Sequence, residues 1–157
     1  MKFGLEREYE IFVEIDADSS HQAAELPELL KISEPNAIVI ASRYVKGSKI
    51  VNWPLKRRAF SFLANLYAGF ILRLGIHDYT NGYRIYGREA LKKLEFEKIK
   101  ATGYVVLSEV AYQLFRKGVK LIEQKSLFIN RRRGQSNFSL AEIKESFLSV
   151  LRIKRES

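Results

Sequence analysis

The chain has 157 residues, with 46% apolar and 29% charged side chains, which is enough for one domain with a real core and excludes a disordered chain. It has no cysteine, which excludes a disulfide framework, a thiolate zinc site and a cysteine nucleophile. Its two histidines leave any metal to oxygen ligands. The net charge of +9 is unevenly spread. Residues 1–42 hold three basic and nine acidic groups, whereas residues 43–77 hold seven basic groups and no acid. An all-positive middle segment fits an anionic partner such as phosphate, nucleic acid or acidic lipid, and on charge alone a solvated basic face fits equally well.

Met1 to Glu10 is charged and lacks the features of a signal peptide. The run from Ala59 to Leu72 is too short for a membrane span, which takes about 20 apolar residues. The pattern predicts a soluble or peripheral single domain over 1–157, without repeats or linkers. In chain order, a strand is expected at Ile11–Ile15, ending at Asp16-Ala17-Asp18, and a helix at Gln22–Lys31. The apolar run Ala37–Ala41 reads as a buried strand, and Ser42–Pro54 as a basic loop. A long helix is expected over Leu55–Leu74, a strand at Tyr83–Tyr86 and a short helix at Arg88–Leu94. Val105–Arg116 reads as a helix stopped by Gly118, and Val119–Ile129 as one strand. Ser139 with Glu142 three residues on forms a capping box for a final amphipathic helix over 139–154. The alternation predicts an α/β fold.

Asp16 and Asp18 directly follow a strand, where ligands bind in open α/β sheets. Two carboxylates without a thiolate or imidazole cluster suit Mg²⁺ or Mn²⁺, which keeps waters and shares its other positions with substrate phosphates. Alone, an Asp-x-Asp pair is a common acidic turn. Three further segments add cations: Ser42-Arg43-Tyr44-Val45-Lys46-Gly47 leading to Asn52-Trp53-Pro54-Leu55-Lys56-Arg57-Arg58, then Asp78-Tyr79-Thr80-Asn81-Gly82-Tyr83-Arg84, then Arg131-Arg132-Arg133-Gly134-Gln135-Ser136. Arginine forks match phosphate oxygens, so metal-binding acids with several arginines point to a phosphate or diphosphate ligand.

In this order, and with Gly103-Tyr104 and Glu109, these residues resemble the polyprenol-phosphate (dolichol-phosphate) mannosyltransferases, inverting family-2 glycosyltransferases. The resemblance implies a GT-A-like three-layer sandwich and transfer of mannose from GDP-mannose to a polyprenyl or dolichyl monophosphate. It gives Asp16 and Asp18 the Mg²⁺ or Mn²⁺ ion, and Arg43 with Lys56, Arg57 and Arg58 the acceptor phosphate. Arg131 and Ser136 would close over the phosphates, Asp78 and Arg84 would line the sugar and acceptor region as catalytic groups, and Glu109 would bind substrate.

A phosphate monoester has a second pKa near ~6, so as nucleophile it needs no general base, and His21 and His77 are expected to be packing or hydrogen-bonding residues. A lipid acceptor implies a peripheral protein at the cytosolic face of a membrane, with the Leu55–Leu74 and Ser139–Ile153 helices against lipid. The Pro-Thr-Tyr-Asn-Glu-like opening strand of the family is not found here, and Lys2–Glu10 matches the helix before the Asp-x-Asp strand. The expectation is therefore a sandwich lacking its first strands, with exposed apolar edges, and completed by a second chain that supplies the nucleotide-binding half or an anchor. The alternative is a non-catalytic fragment or subunit that binds lipid phosphate or anionic membrane. Nucleic-acid recognition motifs are not found, and no nucleic-acid partner is expected.

Overall fold

The computed structural model describes residues 1–130 and 140–156. After helix α1 (Lys2–Glu6), strands β1 (Ile11–Glu14), β2 (Ala37–Ser42), β4 (Arg84–Gly87) and β5 (Lys120–Lys125) form one sheet in the order β1-β4-β2-β5. β4 runs antiparallel to both neighbours, and β2 pairs parallel with β5. Strands β3 (Lys49–Val51) and β6 (Leu127–Ile129) make a second, parallel pair.

All six residues of β2 are buried, as a strand covered on both faces requires. Ile38 and Ile40 point into the larger core with Leu72, Tyr86, Leu91 and Leu114, while Val39 and Ala41 point into a smaller one with Leu29, Tyr83 and Ile85. The larger core is closed by α3 (Leu55–Leu72), α4 (Arg88–Lys92), α5 (Val105–Arg116) and α6 (Leu140–Glu156); the smaller is closed by α2 (Leu26–Lys31). The result is helix, sheet, helix: three layers. β1 forms an edge, and Ile11, Val13 and Ile15 stand there exposed. Gly87 turns the chain from β4 into α4 so close to the preceding loop that a Cβ would lie 2.2 Å from the Glu34 carbonyl oxygen and 2.3 Å from that of Pro35.

Three segments differ from the sequence reading. The helix expected at Gln22–Lys31 is a 3₁₀ turn, Ala23–Glu25, followed by α2, because Pro27 lacks the N–H of a continuous helix and sits instead in the first turn of a new one. The expected 42–54 loop contains β3, a three-residue strand stabilised by β6 some eighty residues on. The expected single strand Val119–Ile129 is two strands parted at Ser126, whose N–H bonds the Ser42 carbonyl while its hydroxyl and the Leu127 N–H bond the Glu25 carboxylate. That break moves the chain from the main sheet to the small one. The final helix is present as α6; Ser139, its expected cap, lies outside the described residues.

Candidate functional site

The two acids leave the end of β1 into a tight turn. Asp18 Oδ1 accepts from the Ser20 N–H (3.0 Å) and the Ser20 hydroxyl (2.5 Å), an Asx turn that sets the loop before His21. Asp16 Oδ2 is 3.1 Å from His21 Nε2, and Asp16 remains about half exposed while the His21 ring is fully enclosed. That ring packs on Tyr83 and, edge-on, on Phe128 of β6. On its other side the Asp16 carboxylate rests against Gly82: a Cβ there would lie 2.8 Å from Asp16 Oδ1. The carboxylate is therefore held between an imidazole and a bare backbone.

Across the cleft lie the cations. Arg43, directly after β2, donates Nε to Asp78 Oδ2 (2.8 Å) and Nη2 to Asp78 Oδ1 (2.7 Å), and Nη2 also reaches Thr80 Oγ1 (2.7 Å). Asp78 further accepts the N–H groups of Arg43 and Asn81. Burial by itself pushes the Asp78 carboxyl up, but the Arg43 charge and hydrogen bonds outweigh it and hold it below the ordinary range. For Arg43, burial works downward and is likewise outweighed, by Asp78, so the guanidinium is held above its usual value. Trp53 lies between two guanidinium groups, 5.4 Å from that of Arg43 and 4.6 Å from that of Arg57, and packs edge-on against Phe128. Arg57 Nη1 donates to Asn130 Oδ1 at 3.0 Å, tying the start of α3 to the end of β6.

Asp16, Asp18, Arg43, Trp53, Arg57 and Phe128 line one cavity of about 640 Å³. Asp16, Asp18, Arg43, Lys56, Arg57 and Asn130 form a polar end. Phe60, Ala64 and Tyr67 of α3, Val105 of α5, and Phe147 and Val150 of α6 form an apolar end. The cavity lies beyond the end of β1, between α3 and α6, and it joins carboxylates, cations and an oily wall in one space.

Several expected site residues do not line it. Asp78 is fully buried and its two oxygens are engaged by Arg43, Thr80 and Asn81, so it orients the guanidinium from behind the cavity wall. Arg84 is fully buried too, and donates to the carbonyls of Tyr79, Asn81 and Leu107, bracing the 78–83 loop against α5. A fork with three carbonyls to satisfy is a strut. Glu109 binds the backbone N–H groups of Lys100 and Ala101, and so fixes the segment before α5. Arg58 is exposed on α3, outside the cavity lining. Arg131 and Ser136 lie outside the described residues. His21 hydrogen-bonds and packs as expected, and His77 Nδ1 pairs with Glu123 at 2.8 Å.

Sequence reasoning missed Asn130, Gly82 as a seat for Asp16, and the whole apolar end. Asn130 had one signal: it is the polar residue that ends an apolar strand beside an arginine. The apolar end had none, because its side chains come from three helices and read as core.

The family model for glycosyl transferase family 2 matches residues 8–95, from the approach to β1 through the 78–84 loop and α4. The chain belongs to glycosyl transferase family 2. Its similarity extends to an undecaprenyl-phosphate mannosyltransferase of Micrococcus luteus, 36% identical over 151 residues, which is 96% of this chain and 62% of that protein. A polyprenol monophosphomannose synthase of Mycolicibacterium smegmatis is 38% identical over 149 residues, 94% of this chain and 56% of that protein. The chain thus spans about three fifths of the length of these relatives. Among solved structures, glucosyl-3-phosphoglycerate synthase of Mycobacterium tuberculosis, in complex with Mn²⁺ and UDP-glucose, superposes with a TM-score of 0.57 at 20% identity, over 96% of this chain and 50% of that one. The family-2 chain has the GT-A fold.

Proposed function

We propose that this chain takes part in transfer of mannose from GDP-mannose to a polyprenyl or dolichyl monophosphate, with inversion, at the cytosolic face of a membrane. The observation that carries this reading is the two-ended cavity: a phosphate on a lipid tail is a ligand that needs cations at one end and hydrocarbon at the other. The named activities of the two relatives point the same way.

Asp16 and Asp18 fit a divalent ion. They offer hard oxygen donors at the cavity's polar end, and among the described residues no group of three or more His, Cys, Asp or Glu side chains is placed to enclose a metal, which suits an ion that keeps waters and shares a diphosphate. Mg²⁺ or Mn²⁺ held there would stabilise the negative charge on the leaving diphosphate. On this fold, a structural neighbour is named as a complex with Mn²⁺ and a sugar nucleotide. Arg43 and Arg57, spaced by Trp53, would receive the acceptor phosphate, with Lys56 beside them. The phosphate arrives already ionised near neutral pH, so the chain needs to orient its oxygen and exclude water, not to remove a proton. The apolar end would take the first units of the lipid tail.

The cations and apolar wall of the cavity also favour one second reading, a binding unit of the same fold that holds lipid phosphate without transferring sugar. A second polypeptide supplying more of the nucleotide-binding layer, or an anchor, belongs to the proposal. Incubation of the full chain with radiolabelled GDP-mannose, Mg²⁺ and undecaprenyl phosphate in detergent separates the readings. Label extracted into organic solvent as a mannolipid is expected; GDP-mannose that binds but stays unconsumed, or does not bind at all, favours the binding unit.

Gly82 provides a finer test. Its φ is not in the left-handed region, so alanine meets no backbone penalty; its methyl instead pushes the half-exposed Asp16 carboxylate out of its seat beside His21. Gly82→Ala is expected to weaken Mn²⁺ affinity roughly 10- to 100-fold, as loss of a supporting group around a metal ligand does. The thermal midpoint should stay nearly unchanged. A folded variant with unaltered Mn²⁺ affinity would remove Asp16 from the metal site.

A further inference from the structure

Thr80 stands partly buried on the cavity wall, in the loop between α3 and β4, and its hydroxyl is bound from two sides. Arg43 Nη2 donates to Thr80 Oγ1 at 2.7 Å, and Asn65 Nδ2, from the buried face of α3, donates to the same oxygen at 3.4 Å. The Asn65 amide is oriented by its other end: its Oδ1 accepts the Tyr79 N–H at 2.7 Å, so its nitrogen is what faces Thr80. A hydroxyl has two lone pairs and one proton. Both lone pairs here face donors, so all that Thr80 can still do is donate. No group among the described residues accepts that proton, and the open space beside the side chain is the cavity.

Arg43 has donors left over in the same place. Of the five N–H groups of its guanidinium, Nε and one on Nη2 go to Asp78, and the other on Nη2 goes to Thr80. The two on Nη1 meet no acceptor among the described residues, and Arg43 also lines the cavity. Two N–H groups and one O–H, bound to each other through Nη2 and Oγ1, suit a group made of acceptors alone. A phosphate monoester, with three terminal oxygens, is such a group. The O–H is also held in place: the Thr80 N–H is bound to Asp78 Oδ1 at 3.3 Å, and a β-branched side chain has few rotamers.

We propose that the Thr80 hydroxyl donates a hydrogen bond to a terminal phosphate oxygen of the lipid acceptor, beside the Arg43 Nη1 pair. Thr80 is then a substrate-binding residue, a neutral donor set against the ligand by Arg43 and Asp78. This deepens the acceptor-phosphate part of the proposed function and rests on it. The lipid phosphate, not the sugar nucleotide's diphosphate, is the partner, because Thr80 is tied to Arg43 and not to the acids that would hold the metal.

Calorimetric titration of farnesyl phosphate, a short polyprenyl monophosphate, into the full chain tests this. Thr80→Val keeps the shape of the side chain and removes the hydroxyl; it is expected to weaken binding roughly 10- to 100-fold, as loss of a hydrogen bond to a charged group does. Thr80→Ser, which keeps the donor, should bind like the wild type. Titration of GDP-mannose with Mn²⁺ should give the same result for Thr80→Val and wild type. Any difference in melting temperature between those two should stay constant from neutral pH into acid, because Arg43 and Asp78 remain paired. Undiminished farnesyl phosphate binding by Thr80→Val, failure of Thr80→Ser to bind, an equal loss of GDP-mannose binding, or a melting offset that closes in acid would each overturn the proposal; the last would place the effect in the Arg43–Asp78 pair. A wild type that binds no farnesyl phosphate would overturn the acceptor reading and this contact together, whereas wild-type binding that Thr80→Val retains in full strikes the contact alone.

Discussion

Asp78→Ala is expected to lower the stability of the folded chain by about 3–5 kcal/mol, because it leaves a buried guanidinium without its counter-charge. In thermal unfolding that is a fall on the order of 10 °C for a domain of this size. Arg43 makes two side-chain hydrogen bonds to Asp78 at 2.8 and 2.7 Å, and Asp78 also gathers the N–H groups of Arg43, Thr80 and Asn81. The loop that carries Gly82 and Arg84 therefore folds around this carboxylate. The pH dependence has a definite sign. The folded carboxyl titrates below the unfolded value of about 3.9, so the pair's contribution is complete above about pH 4 and drains as pH falls through the lower folded value. Wild-type and variant melting curves should therefore converge in acid and stand apart at neutral pH. A constant offset across that range would mean that packing, not charge, is what Asp78 supplies.

Asp18→Asn should cost more in function than in stability. Asparagine keeps a side-chain oxygen for the two Ser20 donors that shape the turn, so the chain is expected to fold as before. What it removes is one of two negative charges available to a divalent ion at the polar end of the cavity. With Asp16 alone, a hard ion has a single protein carboxylate and competes poorly against its own hydration. Mn²⁺ binding, read from loss of the free-ion electron paramagnetic resonance signal, is expected to fall below detection at concentrations that saturate the wild type.

Much of this architecture was legible from residue pattern because the relevant signals are local. The run Ala37–Ala41 has the uninterrupted apolarity of a strand covered on both faces, and it is one. The turn after Ile15 holds its two acids beyond the strand, and the structure opens a cavity there. The long helix was legible too, though it ends two residues before the expected Leu74: Arg73 adopts the left-handed conformation and donates its N–H to the Gly69 carbonyl, so the helix stops at Leu72. Non-local features escaped. β3 fell in the expected loop and β6 was read as the end of one longer strand, since three residues carry almost no periodicity and each is stabilised by the other across the chain.

The site divided along the same line. A charged residue in a motif reads identically whether it faces a ligand or the backbone. Arg43 and Arg57 line the cavity, whereas Arg84 and Glu109, in equally ordered motifs, satisfy carbonyl and N–H groups of neighbouring loops. Those loops place Asn81, Gly82 and the start of α5 around the cavity, so the motif residues act one step removed from it. Only the direction of the side chain separates the two roles, and that direction is set by packing against β2 and α5.

The most direct test of the account is calorimetric titration of GDP-mannose into the full wild-type chain with Mn²⁺, repeated with chelator and with Asp18→Asn. Saturable binding is expected in the first case alone. Equal binding in chelator, or undiminished binding by the variant, would contradict a metal-bridged diphosphate at Asp16 and Asp18.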